Sequence, residues 1–253
     1  MRHSIISALS IVLLFLATGI SQKARAQKDQ AKVKTLLVKM QRAYQEASFL
    51  EFRVAYYYAN QKVPGQHMDS LFGKVQMDKN RCRFSIDNTE TIVTDKYTIQ
   101  VMKQEKQIYL SNSRHSGMMD PVGITDSILA HMEGVQAEVD KQGGTEVLTM
   151  TFPPGKMYTR ITMALDSRTG FLKKVTYDLH TAPLVGQEMI DKPGHPGPYQ
   201  SEGQVDVIFS GYRNGSFGEA AFDEKKFFNH VENRFEPAGS YKDYHIFLAS
   251  SNL

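Results

Sequence analysis

The chain has a single cysteine, Cys82, among its 253 residues. No disulfide can therefore form within it, even in an oxidising compartment. Tryptophan is absent, which leaves 12 tyrosines, 14 phenylalanines and 12 methionines to supply the large apolar side chains. An excess of charge is missing too. Residues 1–26 hold Arg2, Lys23 and Arg25 and no acid, and the remainder carries 27 basic and 27 acidic residues. A nucleic-acid partner needs a net basic footprint that displaces counterions from phosphates, so none is expected. The familiar catalytic signatures are also lacking. Gly215-Ser-Phe-Gly218 has the wrong spacing for a nucleophile elbow, and there is no P-loop and no strand–GxGxxG–helix. The eight histidines are scattered, without His-x-His, HExxH or a Cys-x-x-Cys partner, so neither a metal nor a cofactor is expected. Cys82 alternates with Phe84 and Ile86 and reads as a packed thiol, with Arg81 and Arg83 on the opposite side of its strand.

What is present begins with a leader. Arg2 and His3 precede an apolar run from Ile5 to Ile20, and Ala24-Arg25-Ala26 supplies a small-x-small cleavage pattern. The expectation is a signal peptide over 1–26, cut after Ala26 on export to a bacterial periplasm. No cysteine near the cut would take a lipid, so a soluble single domain over 27–253 is expected.

Val33, Leu36, Leu37, Met40, Tyr44 and Ala47 recur at helical spacing and predict an amphipathic helix over 31–47. The period then changes to two. Phe52, Val54, Tyr56 and Tyr58 alternate with Glu51, Arg53 and Ala55, and further short strands follow around Val75, Phe84, Ile92, Ile99 and Ile108. Residues 111–123 read as a loop, and Thr125 or Asp126 as the cap of a short helix ending near Met132. Gly143-Gly144 and the run Asp166-Ser-Arg-Thr-Gly170 mark two hairpins. Residues 181–203, with four prolines and four glycines, read as a long loop. Val205–Tyr212 predicts another strand and Tyr244–Leu248 a last one. The fold class is mainly β (α+β): a strongly curved antiparallel sheet with helices packed on one face.

Three stretches, in order, carry a family resemblance. Thr91–Met102 is similar to an apolar strand, a Ser/Thr-Asp turn and an aromatic strand of the LolA family of periplasmic lipoprotein carriers. Ile161–Thr176 resembles that family's late hairpin. Val205–Phe228, with Asn214-Gly215 and Phe222-Asp-Glu-Lys-Lys-Phe-Phe228, resembles its closing strand and aromatic segment. Lys96 stands where the family has glycine, and the family's functional arginine is not carried over to the turn Asp78-Lys-Asn-Arg81. The resemblance implies an unclosed β-barrel with helices as a lid on its concave face, and a cavity for lipoprotein acyl chains or another lipid. It also implies an inner-membrane release complex and an outer-membrane acceptor as partners. The cavity candidates are Phe52, Val54, Tyr56, Val75, Met77, Phe84, Ile99, Val101, Ile161, Met163 and Leu165. Two other readings stay open: an envelope interaction or stress-sensor module whose apolar groove binds a protein segment, and a secreted hydrolase with a site assembled from scattered Asp, His and Ser.

Overall fold

The computed structural model describes residues 31–79, 81–112, 133–215, 217–232, 234–250 and 253. The expected leader, nearly all of the 111–123 loop and the expected short helix at 125–132 lie outside the described residues. Helix α1 occupies residues 31–46. Its stripe Val33, Leu36, Leu37, Met40 and Tyr44 is at most 3% exposed and packs onto the sheet beside Phe52, Leu148, Met163 and Leu172. Burying a side chain of this size is worth roughly 1.5–3 kcal/mol, so packing of the stripe holds α1 in place more than helix propensity does.

The strands are β1 (Leu50–Asn60), β2 (His67–Asp78), β3 (Arg81–Ile86), β4 (Thr89–Val93), β5 (Tyr97–Met102), β6 (Gln107–Asn112) and β7 (Gln136–Gln142). They continue with β8 (Thr145–Thr151), β9 (Tyr158–Asp166), β10 (Leu172–His180), β11 (Glu202–Asn214), β12 (Phe228–Val231), β13 (Arg234–Pro237) and β14 (His245–Leu248). Twelve form one curved sheet in the order β14-β6-β5-β4-β3-β2-β1-β11-β10-β9-β8-β7. The edge strands β7 and β14 do not pair with each other, so the sheet does not close. β12 and β13 make a separate hairpin.

Turn chemistry fixes the register. Asp87-Asn88 joins β3 to β4 with Asp87 at φ 44°, a conformation that Asp and Asn tolerate. In the β9–β10 turn the Asp166 carboxylate accepts hydrogen bonds from the backbone N–H groups of Arg168 and Thr169. Gly170 follows at φ +77°, and a Cβ there would stand 3.1 Å from Ala43 Cβ and 3.3 Å from Lys39 O of α1. Glycine thus serves both the turn and the close approach of the helix.

The structure departs from the expected pattern in three places. β14 lies parallel to β6 on an otherwise antiparallel sheet. The β12–β13 hairpin was not expected. The 181–203 segment is more structured than a loop: it forms a short helix α2 (Ala182–Val185), a 3-10 turn at Gln187–Met189, and bridges from Ile190 to Tyr199 and from Lys192 to His195.

Candidate functional site

Residues paired across antiparallel or parallel strands share a face, so the register sorts every side chain. Call the face against α1 the inner face. One inner row runs Tyr56–Val207–Val175–Met163–Leu148–Val139, and the next runs Tyr58–Val205–Tyr177–Ile161–Met150–Ala137. On the other side of β1 the inner row Phe52–Val75–Phe84–Thr91–Gln100–Tyr109 crosses to β6.

Nine of the eleven candidates therefore belong together: Phe52, Val54, Tyr56, Val75, Met77, Phe84, Ile161, Met163 and Leu165 all fall in or against the inner cluster. Ile99 and Val101 do not. Ile99 is opposite Ile92, which is opposite Arg83, and Val101 is opposite Glu90. Both point to the outer face and are fully buried beneath Ala221, Phe222, Phe227 and Phe228. They leave the candidate set. The physical reason is a change of phase: from β4 onward the strongly apolar positions are the outward ones.

The nine inner residues divide by burial. Phe52, Val54, Val75, Met163 and Leu165 are at most 2% exposed; they meet no solvent-sized space and serve as packed core under α1. The same end is sealed by Tyr44, which makes edge contacts with Phe52 and Phe171 and shares a 2.6 Å hydrogen bond between its hydroxyl and that of Tyr212. Burial pushes the Tyr44 phenol up to about 12, against the pull of its hydrogen bonds to Tyr212 and from the Leu172 N–H.

The other end is half open. Tyr56 is half-buried there, as are Phe152, Tyr158, Tyr177 and Val205, which pack on the same cluster; Phe84 is half-buried too, but on β3 in the Phe52 row. The rings form a chain: Phe152 to Tyr158 at 6.4 Å and Tyr158 to Tyr177 at 5.6 Å. Burial, then the neighbouring Tyr177, pushes the Tyr56 phenol up to about 12, and burial, then Tyr158, does the same for Tyr177. These phenols are neutral across the physiological range and can give or accept hydrogen bonds. Gly73 makes room for the Phe84 ring, since a Cβ there would stand 2.9 Å from both that ring and Val54. Tyr58 bonds the Thr181 hydroxyl at 3.0 Å and meets Tyr199 edge-on, tying the 181–203 segment to β1.

Tyr158 and Tyr177 were missed as site residues. Tyr177 alternates in the strand predicted up to Leu179, whereas Tyr158 precedes the strand predicted from Ile161, and only the register with Ile161 and Leu179 places both at the open end. Cys82 is half-buried on the inner face, while Arg81 and Arg83 point outward.

Charge is sorted by face. On the outer face Glu51 accepts from Gln76 at 2.9 Å and pairs with Lys74 at 2.8 Å and Arg213 at 2.6 Å. Burial alone would raise the Glu51 carboxyl, but these partners outweigh it and hold the group at about 2. Arg160 and Gln204 share Asp178, and Lys174 and Thr176 share Asp206, on the same outer face. Over β4–β6 the outer face is instead a second apolar core. Its cover is fastened by Arg81, which pairs with Asp78 and Glu219 and lies 4.7 Å over the Phe222 ring, and by the Thr94 hydroxyl donating to Glu224. Among the described residues no group of three or more His, Cys, Asp or Glu could hold a metal ion.

No family model matches the chain, and no curated protein does. Solved structures do. One is an uncharacterized conserved protein from Thermus thermophilus, with 8% identity over 86% of this chain and 99% of that one, at a TM-score of 0.47. A LolA superfamily protein from Nitrosomonas europaea has 11% identity over 76% of this chain and 97% of that one, at a TM-score of 0.35. A chain of the Pseudomonas aeruginosa MucA/MucB complex has 12% identity over 76% of this chain and 60% of that one, at a TM-score of 0.43. Likenesses this distant place the chain in no family and assign it no activity.

Proposed function

We propose that this protein is a non-catalytic binding or carrier protein of the bacterial envelope that holds an acyl chain, or a ligand of similar apolarity, on the inner face of its sheet. The observation that carries the reading is the half-open aromatic patch of Tyr56, Tyr158 and Tyr177 beside a fully packed core. An acyl chain gains roughly 0.8 kcal/mol for each methylene taken out of water. A seat that covers it only partly returns part of that gain, which lets the cargo be handed on. The loose sequence resemblance to lipoprotein carriers agrees with this reading, as does the leader expected over residues 1–26. Delivery would then run from an inner-membrane release complex to an outer-membrane acceptor.

Native mass spectrometry of the purified chain mixed with an acylated peptide tests the idea. A one-to-one complex that the unacylated peptide does not form is expected. No complex with either peptide would sink the proposal.

One observation favours a second reading. Residues 67–72 of β2 pair with β1 but extend beyond the end of β3, and Met68, Leu71 and Phe72 there are 42%, 41% and 57% exposed. Such an overhang can accept an extended segment of another protein. A stable complex with a peptide that carries no lipid would favour an interaction or sensor module instead.

A further inference from the structure

The inner face over β3–β6 has a chemical character of its own. Its side chains include Thr89, Thr91, Thr98, Gln100, Tyr109 and Ser111, interleaved with apolar residues such as Phe84 and Met102. Among the described residues of β3–β6, no Asp, Glu, Lys or Arg points inward: Arg81, Arg83 and Glu90 all face outward. The row that runs from Phe52 through Val75 and Phe84 continues through Thr91 and Gln100 to Tyr109 and, on β14, Phe247. Tyr109 and Phe247 stack at 5.3 Å and are 37% and 44% exposed, and the Tyr109 hydroxyl donates to Gln107. Among the described residues the charges that do occupy inner strand positions lie at the margins: Asp69 in the β2 overhang, and Lys141 and Glu146 paired at the opposite corner, where Glu146 also meets Lys39.

We infer that this face selects an uncharged, hydroxyl-bearing lipid head, of the acylglycerol class, and rejects anionic lipids. The inference rests on the carrier reading above and names its ligand class. An anion laid on this surface would lose water and meet no cation among the described inner residues of β3–β6, which is costly. Ester and hydroxyl oxygens meet Thr, Gln, Ser and Tyr groups that can both donate and accept. The neutral phenols of Tyr56 and Tyr177 extend the same condition to the acyl seat.

The test uses three probes with one oleoyl chain: monooleoylglycerol, oleate and oleoyl-lysophosphatidylglycerol. Each is titrated into the full chain below its own aggregation concentration and followed by calorimetry and native mass spectrometry. Monooleoylglycerol is expected to bind at least about tenfold more tightly than either anion. Gln100→Lys, at an exposed inner position, should bring oleate to within about threefold of the neutral probe. Glu138→Lys, on the outer face of β7, should leave the preference as it was. Equal binding of the three probes, or tighter binding of an anion, overturns the inference while the carrier reading stands. So does an acylated peptide taken up when monooleoylglycerol is not. Failure of every acylated probe, the peptide included, removes the carrier reading and the inference with it.

Discussion

The two halves of this one sheet bury opposite faces. In β1 and β7–β11 the apolar rows turn inward to α1, and the outer face carries ion pairs such as Arg160–Asp178. In β4–β6 the fully buried residues Ile92, Ile99, Val101, Ile108 and Leu110 turn outward, under a cover supplied by the C-terminal segment. The difference teaches that alternation along a strand reports a buried face without saying which one. It also explains why the inner face of β4–β6 is free to be polar, uncharged and half exposed: those strands are already stabilised from behind. A site can occupy that face without being part of the core.

The comparison breaks most clearly at the second core. Phe227 is 1% exposed within it and stacks on Tyr241, and Phe227→Ala should cost about 3–5 kcal/mol. Hydrogen exchange should then quicken in β4–β6 and remain slow in β8–β11. Equal loosening of both halves would show a single cooperative unit and undo the division. Ligand uptake by the folded fraction should be unchanged, since Phe227 lies behind the sheet.

The junction between the halves should respond to acid. Glu51 on β1 links Lys74 of β2 to Arg213 of β11. Its folded value of about 2 lies below the ordinary 4.5. Its contribution to stability is therefore complete above about 4.5 and is lost as pH falls towards 2. Glu51→Gln should cost about 2 kcal/mol at neutral pH, because Lys74 and Arg213 are exposed enough to regain water. The gap in melting temperature between the two proteins should narrow through that acid window. A gap that stays constant down to pH 2 would show that the carboxylate carries none of this stability.

The sequence made the elements legible more fully than the site. The α1 stripe and most of the strands follow from periods of 3.6 and two, and the hairpins from Gly143-Gly144 and Asp166–Gly170. Phe84 and Ile99 look equivalent by that rule. Only the cross-strand register separates them, and only the C-terminal cover gives Ile99 its burial. That cover comes from far along the chain: the Thr94 hydroxyl meets Glu224, 130 residues away. Tyr177 was readable as a strand residue, but its place at the open end depends on its partners in β9 and β11. Local periodicity cannot contain contacts of that range.

The smallest expected effect concerns how the second cover is fastened. Arg81 has 18% side-chain exposure and pairs with two acids of unequal setting: Asp78 at 6% and Glu219 at 73%. Removing Glu219 takes away a partner that water readily replaces, so Glu219→Ala should cost under about 1 kcal/mol. Removing Arg81 leaves the Asp78 carboxylate buried beside an uncovered Phe222 ring, and Arg81→Ala should cost about 2–3 kcal/mol. Urea melts of the two variants and the double variant measure this ordering. In the double variant the loss should match that of Arg81→Ala alone, because Glu219 has no role once its cation is gone. Equal losses for the two single variants would mean that the exposed carboxylate, and not the buried one, ties the tail to the sheet.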